Sequence, residues 1–332
     1  MNFLLVIARF ILVLYFSIYG LIHLLLFLTP ETARYLIFMN YVNWPMRDLQ
    51  NPPKYELNNV HNFYLDVEAD VRVGIWHYIP EPLEYNFTKH GQNNLKEHFE
   101  RYFKIHDRRP VVLYVHGNDR DRSDYGRMKL CKSLSELGYH IFAIDYRGYG
   151  DSTGTPSETG VVNDVLALYN FIKAYQNETK IFFWGHSLGT GISSHAAKIL
   201  SDFNAPPAGV VLEAPFFNIS QAAKEHLAAP LILNNPWIVR MGEEALLNLN
   251  IHFNNAENVL KSKTKFLILH AEDDMFIPQD RSRDLLKICN EKRPTDYPPV
   301  KLVEFHKRFG LGHGKIYTHK EIYPMIKDFI EN

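Results

Sequence analysis

Two cysteines, Cys131 and Cys289, are all that the 332 residues contain. That is too few for a disulfide framework, and nothing in the sequence demands the single bridge they could form. Charge of one sign is missing too. With 36 basic and 37 acidic residues the formal net charge is −1, and no basic stripe appears, so nucleic-acid binding has no support. No cysteine–histidine cluster has zinc-ligand spacing, and no glycine-rich phosphate loop precedes a Lys-Ser or Lys-Thr. The sequence therefore calls for no metal and no other cofactor. Internal repeats, low-complexity tracts and any signal for an oligomeric state are absent as well. The residues after about position 50 suffice for one large domain with a full core.

What is present is concentrated between Lys180 and Gly191. An apolar run, Ile181 to Trp184, meets Gly185-x-Ser187-x-Gly189, and the helix-compatible stretch Ile192 to Leu200 follows. The pattern is a strand, a sharp turn bearing a serine, and a helix. Such an elbow forces the serine into a strained backbone conformation, and a Cβ on either neighbouring glycine would clash. The turn lifts the Ser187 hydroxyl clear of the sheet edge and leaves the Leu188 N–H, at a helix N-terminus, free to bind an oxyanion. At ~7% glycine the bare pattern arises by chance in roughly one chain in ten of this length, so its partners must decide.

An α/β-hydrolase supplies Ser, then Asp or Glu, then His, in that chain order. The buried-strand pattern Lys265 to His270 ends in four candidate acids, Glu272, Asp273, Asp274 and Asp280. Asp274 is preferred because it stands four residues before Pro278, as in the His-Gly-x-x-Asp-x-x-Val-Pro pattern of many hydrolases; Asp273 is second. Such an acid holds the histidine tautomer and stabilises the imidazolium. Beyond the last strand, Val300 to Phe305, His313 lies in the loop Gly310 to Gly314, with His306 and His319 as alternatives among 16 histidines. After the strand Pro110 to Val115 come His116, Gly117 and Asn118, which make the Asn118 N–H the expected second oxyanion donor. Asp145 and Arg147, in the turn that closes the strand His140–Ile144, read as structural.

Strands are expected near 60–67, 71–79, 111–115, 140–145, 180–184, 208–213, 265–270 and 300–305. Helices are expected near 124–137, 157–175, 190–201, 279–289 and 316–330. This alternation argues for an α/β fold: one doubly wound, mostly parallel, eight-stranded sheet whose first two strands form an antiparallel edge hairpin. One apolar insertion, about 215–259, breaks the alternation where such folds carry a helical lid over the serine.

From Phe10 to Thr29 the chain is almost wholly apolar, and twenty residues at ~1.5 Å each reach the ~30 Å of a bilayer core. No small-x-small cleavage site follows, so an uncleaved signal anchor is expected. Residues 1–50 are thus assigned to the anchor and its juxtamembrane segment, and 51–332 to the hydrolase domain. Arg9 precedes the span while Glu31 and Arg34 follow it, a slight bias toward a cytoplasmic N-terminus and a luminal or extracellular domain. Three sequons, at Asn86, Asn177 and Asn218, agree with that orientation. The aromatic-rich stretch Tyr35 to Trp44 is expected along the membrane surface.

Taken together, His116-Gly-Asn118, Asp145-Tyr-Arg-Gly-Tyr-Gly-Asp-Ser-Thr-Gly-Thr-Pro-Ser-Glu158, Trp184 to Gly191, His270-Ala-Glu-Asp-Asp274 and Val71 to His77 resemble the α/β-hydrolase domain-containing protein 12 family. The resemblance runs from the end of the anchor to the C-terminus. It implies an integral membrane serine hydrolase of the endoplasmic reticulum type, acting on lysophosphatidylserine and monoacylglycerol, with Ser187, Asp274 and His313 as nucleophile, acid and base. The chain departs from the family in its shorter N-terminal stretch. It also departs after His116-Gly-Asn118, where Asp119, Arg120, Asp121 and Arg122 replace small residues, which bears on substrate preference. The expected reaction is acyl transfer from a lipid ester to water at a bilayer. Two other readings accompany it: a thioesterase that removes palmitate from proteins, and a non-catalytic membrane-tethered binding protein.

Overall fold

Val111, Leu113 and Val115 pack into one apolar core while Val112 and Tyr114 pack into another, so the strand they form is buried on both faces. Burial on two sides is what an interior strand of a parallel sheet demands, since helices must cover both of its surfaces. The structure is a computed structural model and describes residues 2–29, 31–42, 47–81, 83, 95–103, 108–225 and 236–332.

Among the described residues eight strands are present: β1 (Val60–Glu68), β2 (Val71–Tyr78), β3 (Val111–Val115), β4 (His140–Asp145), β5 (Ile181–His186), β6 (Gly209–Glu213), β7 (Phe266–Ala271) and β8 (Val300–Phe305). They form one sheet in the order β1-β2-β4-β3-β5-β6-β7-β8. β1 and β2 make the expected antiparallel edge hairpin, β2 runs antiparallel to β4, and the other pairings are parallel. The C-terminal ends of β3, β5, β6 and β7 therefore open on one side, where ligand sites of such sheets lie.

The helices are α1 (Asn2–Leu28), α2 (Glu31–Phe38), α3 (Leu95–Tyr102), α4 (Tyr125–Glu136), α5 (Glu158–Tyr175), α6 (Leu188–Asp202), α7 (Ile219–Glu225), α8 (Pro236–Asn248), α9 (Asn255–Lys261), α10 (Asp280–Lys292) and α11 (Ile322–Glu331). Side chains of α5, α6 and α10 fill one core, and those of α4 and α11 fill the other. Each fully buried Leu, Ile, Val or Phe there contributes roughly 1.5–3 kcal/mol over its exposed state. Cys289 belongs to the first core and Cys131 to the second, and both thiols are free. The bridge the sequence left open does not form.

Two expectations change. The terminal helix starts at Ile322 instead of 316, after a short 3-10 turn at Ile316–Thr318. Pro324 explains this: without an N–H it fits the first turn of a helix but not the interior of one begun at 316. The insertion 215–259 is also not one unit. α9 carries the fully buried Val259 and packs on α6 and α10 as part of the main body, whereas α8 leans on α1 and α2. The apolar stretch 228–233 lies outside the described residues.

Among the described residues α1 is the one helix long and apolar enough to cross a membrane, over Phe3–Leu21. That span begins earlier than Phe10, so Arg9 sits within the helix and does not flank it. After α1 the chain does not run free along a surface. Ala33, Phe38 and Leu49 are buried in the hydrolase domain, although the boundary drawn from sequence at residue 50 placed them outside it. Trp44, the end of the aromatic stretch, is outside the described residues.

At the opposite edge, four histidines are buried together: His61 on β1, His77 on β2, His98 on α3 and His140 on β4. His77 bonds His98 through Nδ1 and His140 through Nε2, each at 2.8 Å, and the His61 and His98 rings stack at 3.8 Å. Burial pushes His61 down to about 4, and burial with its three histidine neighbours holds His77 well below the usual histidine range. The folded protein thus keeps His61 and His77 neutral while an unfolded chain would protonate them near 6.5. The unfolded state binds more protons, so stability is complete above about pH 6.5 and is lost as pH falls toward 4. Denaturant unfolding between pH 7 and 4.5 should show a loss of about 1.4 kcal/mol per pH unit for each such histidine. His61→Phe should flatten that slope; an unchanged slope would contradict the assignment.

Candidate active site

The turn after β5 needs its glycines for measurable reasons. A Cβ at Gly189 would stand 2.0 Å from the Val115 carbonyl oxygen, and one at Gly185 would stand 2.4 Å from the Gly189 oxygen. β5, α6 and the end of β3 thus meet backbone to backbone. Between the two glycines Ser187 adopts φ 52° and ψ −118°, a left-handed value that costs an L-residue roughly 1–3 kcal/mol and persists only where packing imposes it. Leu188 opens α6 directly behind it. A Cβ at Gly117 would lie 3.4 Å from the Ser187 Cβ, so the loop after β3 passes immediately beside the serine.

Across the sheet end, His313 Nδ1 and Asp274 Oδ2 are 2.7 Å apart. Asp274 Oδ1 accepts from the amides of Phe276 at 2.8 Å and Ile277 at 3.0 Å, and its Oδ2 lies 3.2 Å from His270 Nε2. His270 is fixed in turn by the Ile277 carbonyl, which only accepts, so Nε2 carries the proton there. Burial would raise the Asp274 carboxyl, but the bonds from His270, His313 and Ile277 outweigh it and hold the group well below the usual carboxylate range. The acid is therefore ionised at any physiological pH and bonded to His313 Nδ1, which leaves His313 Nε2 for other work.

The competing acids have other partners. Asp273 accepts from the Gly312 amide at 3.0 Å and so shapes the histidine loop, Glu272 accepts from the Lys307 amide, and Asp280 pairs with Arg283. Of the alternative histidines, His306 caps the turn at Arg308, and His319 packs between Phe305 and Phe309.

Two site residues escaped the sequence reading. His186 Nε2 donates to the His313 carbonyl at 2.8 Å, a tie from the residue before the serine to the histidine loop. Loss of water, with His313 beside it, pushes His186 down to about 3, so it stays a neutral donor. Its place inside the Gly-x-Ser-x-Gly motif was the only available signal. The second is Glu213 at the end of β6. Its backbone oxygen accepts from the Ser187 amide at 3.0 Å, and its side chain takes the Trp184 indole N–H at 2.8 Å.

The loop Asp119 to Arg122 pairs its charges within the protein, with Asp121 and Arg122 buried and Arg120 exposed. Arg122 is 1% exposed and bonds Asp145 at 2.6 Å, Asp151 at 2.7 Å and Asn62 at 2.8 Å. Arg127 bonds Asp119, Arg120 bonds Asp124, and Asp121 accepts from Ser123. The charges that replace the small residues of the family are thus bound within the protein. Asp145 and Arg147 are structural, as expected, Arg147 bridging Asp164 and Glu68. Among the sequons, Asn177 is exposed, Asn218 accepts from the Gln221 amide at the start of α7, and Asn86 lies outside the described residues. No group of three or more possible metal ligands occurs among the described residues.

A hydrolase family model described as serine aminopeptidase, S33, matches residues 106–260. The lysophosphatidylserine lipase ABHD12 of Xenopus tropicalis is 36% identical over 98% of this chain and 83% of its own length. That of Bos taurus is 35% identical over 97% and 80%, and the human protein ABHD12B 34% identical over 89% and 79%. Among solved structures, an α/β hydrolase from Vibrio vulnificus superposes with a TM-score of 0.65 at 18% identity, covering 91% of this chain and 93% of its own. The Pyrococcus furiosus esterase Pf2001 gives 0.61 at 16% identity, over 87% and 96%. At such identities the structural likeness shows the α/β-hydrolase fold alone.

Glu213 offers a test of the site's electrostatics. Burial raises its carboxyl to about 7, against the opposing bond from Trp184. A raised acid stabilises the folded state below its unfolded value near 4.5, and that stability is lost as pH rises through about 7. Glu213→Gln, which keeps an acceptor for Trp184, should therefore gain stability over the parent from pH 5 to 8, up to ~3 kcal/mol at the plateau. A pH-independent difference in melting would count against this reading.

Proposed function

The chain belongs to the ABHD12 family of α/β-hydrolases, and from that premise we propose that it is a membrane-anchored serine hydrolase that cleaves acyl esters of lipids. Lysophosphatidylserine and monoacylglycerol are the substrates to try first, the former because the relatives at 34–36% identity include proteins named for it. The observation that carries the reading is the pairing of His313 with a doubly amide-bonded Asp274, on the same sheet end as the strained Ser187.

In this mechanism His313 Nε2 takes the Ser187 proton as Oγ attacks the ester carbonyl. Asp274 holds the imidazole by Nδ1 and stabilises the imidazolium. The amides of Leu188 and Asn118 receive the oxyanion, a contribution of several kcal/mol when both donors are aimed in advance. His313 then protonates the leaving alcohol, and water, activated by the same base, releases the fatty acid from the acyl-serine. The chemistry asks nothing of a cofactor. α1 brings the site to a bilayer, which is where a long-chain acyl ester is found.

For topology we infer a luminal or extracellular domain, with the exposed Asn177 as an acceptor for a glycan. Residues 1–50 act as anchor and connector and 51–332 as the hydrolase domain, with Ala33, Phe38 and Leu49 of the connector packed into the domain's cores.

Ser187→Ala should abolish labelling by a fluorophosphonate probe and reduce lipid ester hydrolysis by at least ~10⁴-fold, while the protein still folds. Asp274→Asn should cost about 10⁴-fold in kcat. Labelling that persists in Ser187→Ala would remove Ser187 as nucleophile. A panel of lysophosphatidylserine, monoacylglycerol and a palmitoylated peptide, assayed side by side, reports the acyl acceptor, and a preference for the peptide would replace the lipase reading. Asn177→Gln should remove a glycosidase-sensitive mobility shift; no shift in the parent would argue for the opposite orientation.

A further inference from the structure

The loop after β3 has no regular structure of its own, yet it must hold a backbone amide beside Ser187 to within a fraction of an ångström if that amide is to serve an oxyanion. Its rigidity has to be supplied from elsewhere, and the contacts lead to the segment between the apolar helix and the domain. Asn118 Nδ2 donates to the Ile37 carbonyl at 3.1 Å, so this side chain points back at residue 37. The Arg120 amide donates to the Val42 carbonyl at 3.2 Å. Tyr149, fully buried, has its hydroxyl within hydrogen-bond distance of both the Phe38 carbonyl and the Asn118 carbonyl, the latter at 3.2 Å, and its one proton is shared between them. Asn40 Nδ2 donates to the Gly148 carbonyl at 3.0 Å, fastening the same segment to the turn that bears Tyr149. Phe38 itself is 0% exposed, edge-on to the buried Phe253 ring 6.0 Å away.

We propose that residues 37–42 are a positioning segment of the active site: through the Asn118 side chain and Tyr149 they clamp the loop that presents the oxyanion donor. The inference rests on the reading of Asn118 and Leu188 as the oxyanion amides. It makes the membrane-proximal connector a wall of the site. Asn118 serves the site twice, its backbone N–H facing the substrate oxygen and its side chain anchoring that N–H to Ile37. Tyr149 acts only through others, since both of its acceptors are main-chain carbonyls of the clamp.

A clamp of this kind acts on the transition state, where the oxyanion forms, and hardly on ground-state binding. In the full-length, membrane-bound protein, Tyr149→Phe and Asn118→Ala should each lower kcat about 10- to 100-fold with KM within twofold. Affinity for a trifluoromethyl ketone lipid analogue, which forms the oxyanion adduct on Ser187, should fall in the same proportion. Asn118→Ala retains the backbone donor, so its loss reports positioning, and it stands in if Tyr149→Phe does not fold. Variants whose kcat and ketone affinity stay within twofold of the parent, while Ser187→Ala is inactive, would overturn the clamp and leave the hydrolase reading intact. A rise in KM at unchanged kcat would overturn it as well. Activity that survives in Ser187→Ala would instead remove the hydrolase reading, and the clamp with it.

Discussion

The backbone contact between Gly189 and Val115 is the constraint from which the site follows. Bringing α6 against the end of β3 requires that residue 189 have no side chain, because a Cβ would stand 2.0 Å from a carbonyl oxygen. Once that contact is made, the single residue between strand and helix has nowhere to go but outward, and Ser187 takes its φ of 52°. The same contact draws the loop after β3 to the serine, which is why Gly117 is its neighbour. The strain is local, whereas the packing that enforces it extends through both cores on either side of β5. A strained residue persists in just this arrangement, where its surroundings over-determine it.

Electrostatics then arranges the approach. A buried guanidinium is costly unless it is paired, and Arg122 is paired with Asp145 and Asp151 and bonded to Asn62. This cluster fixes the loop between β3 and α4 from below, while Tyr146 and Tyr149 fix its first residues through the His116 and Asn118 carbonyls. A loop with four successive charged residues therefore behaves as a scaffold. Each of its charges has a partner within the protein, and Asp121 and Arg122 are buried while Arg120 stays exposed.

How much of this could be read from the residues depends on what leaves a trace in a side chain. The elbow was legible because a close backbone approach admits only glycine, and the strands because burial on both faces selects apolar runs. Chain position suggests an order of Ser, acid and His, in which Asp273 and Asp274 differ only by their spacing to Pro278. The structure distinguishes them by partner, one on the Gly312 amide and the other on His313. The terminal helix was placed too early because amphipathic spacing continues through Ile316 while Pro324 limits where a helix can begin. The connector's bonds to the loop were invisible, since Ile37, Phe38 and Val42 offer main-chain carbonyls, which any residue has. The buried histidines were hidden for a related reason: their contacts join β1, β2, β4 and α3, and no local pattern marks such a meeting.

Contact with a carboxylate does not by itself single out a base. His195 has Glu158 at 2.9 Å and His116 has Asp145 at 3.3 Å, comparable to the 2.7 Å of His313 and Asp274. The difference lies in what each pair is for. Glu158 also accepts from the amides of His252 and Phe253 and so fastens the chain that returns from α8, and Asp145 neutralises Arg122. These two acids are structural hubs with a histidine at their margin. Asp274 has the reverse character. Its amide and His270 contacts orient one oxygen toward His313, on a loop whose Gly310 and Gly312 both adopt positive φ and which is tied down by Asp273 and His186. These ties hold His313 on the same sheet end as the strained Ser187. Among the histidines, His61, His77 and His186 are kept neutral by loss of water, whereas His313 is held at its Nδ1 by an ionised carboxylate.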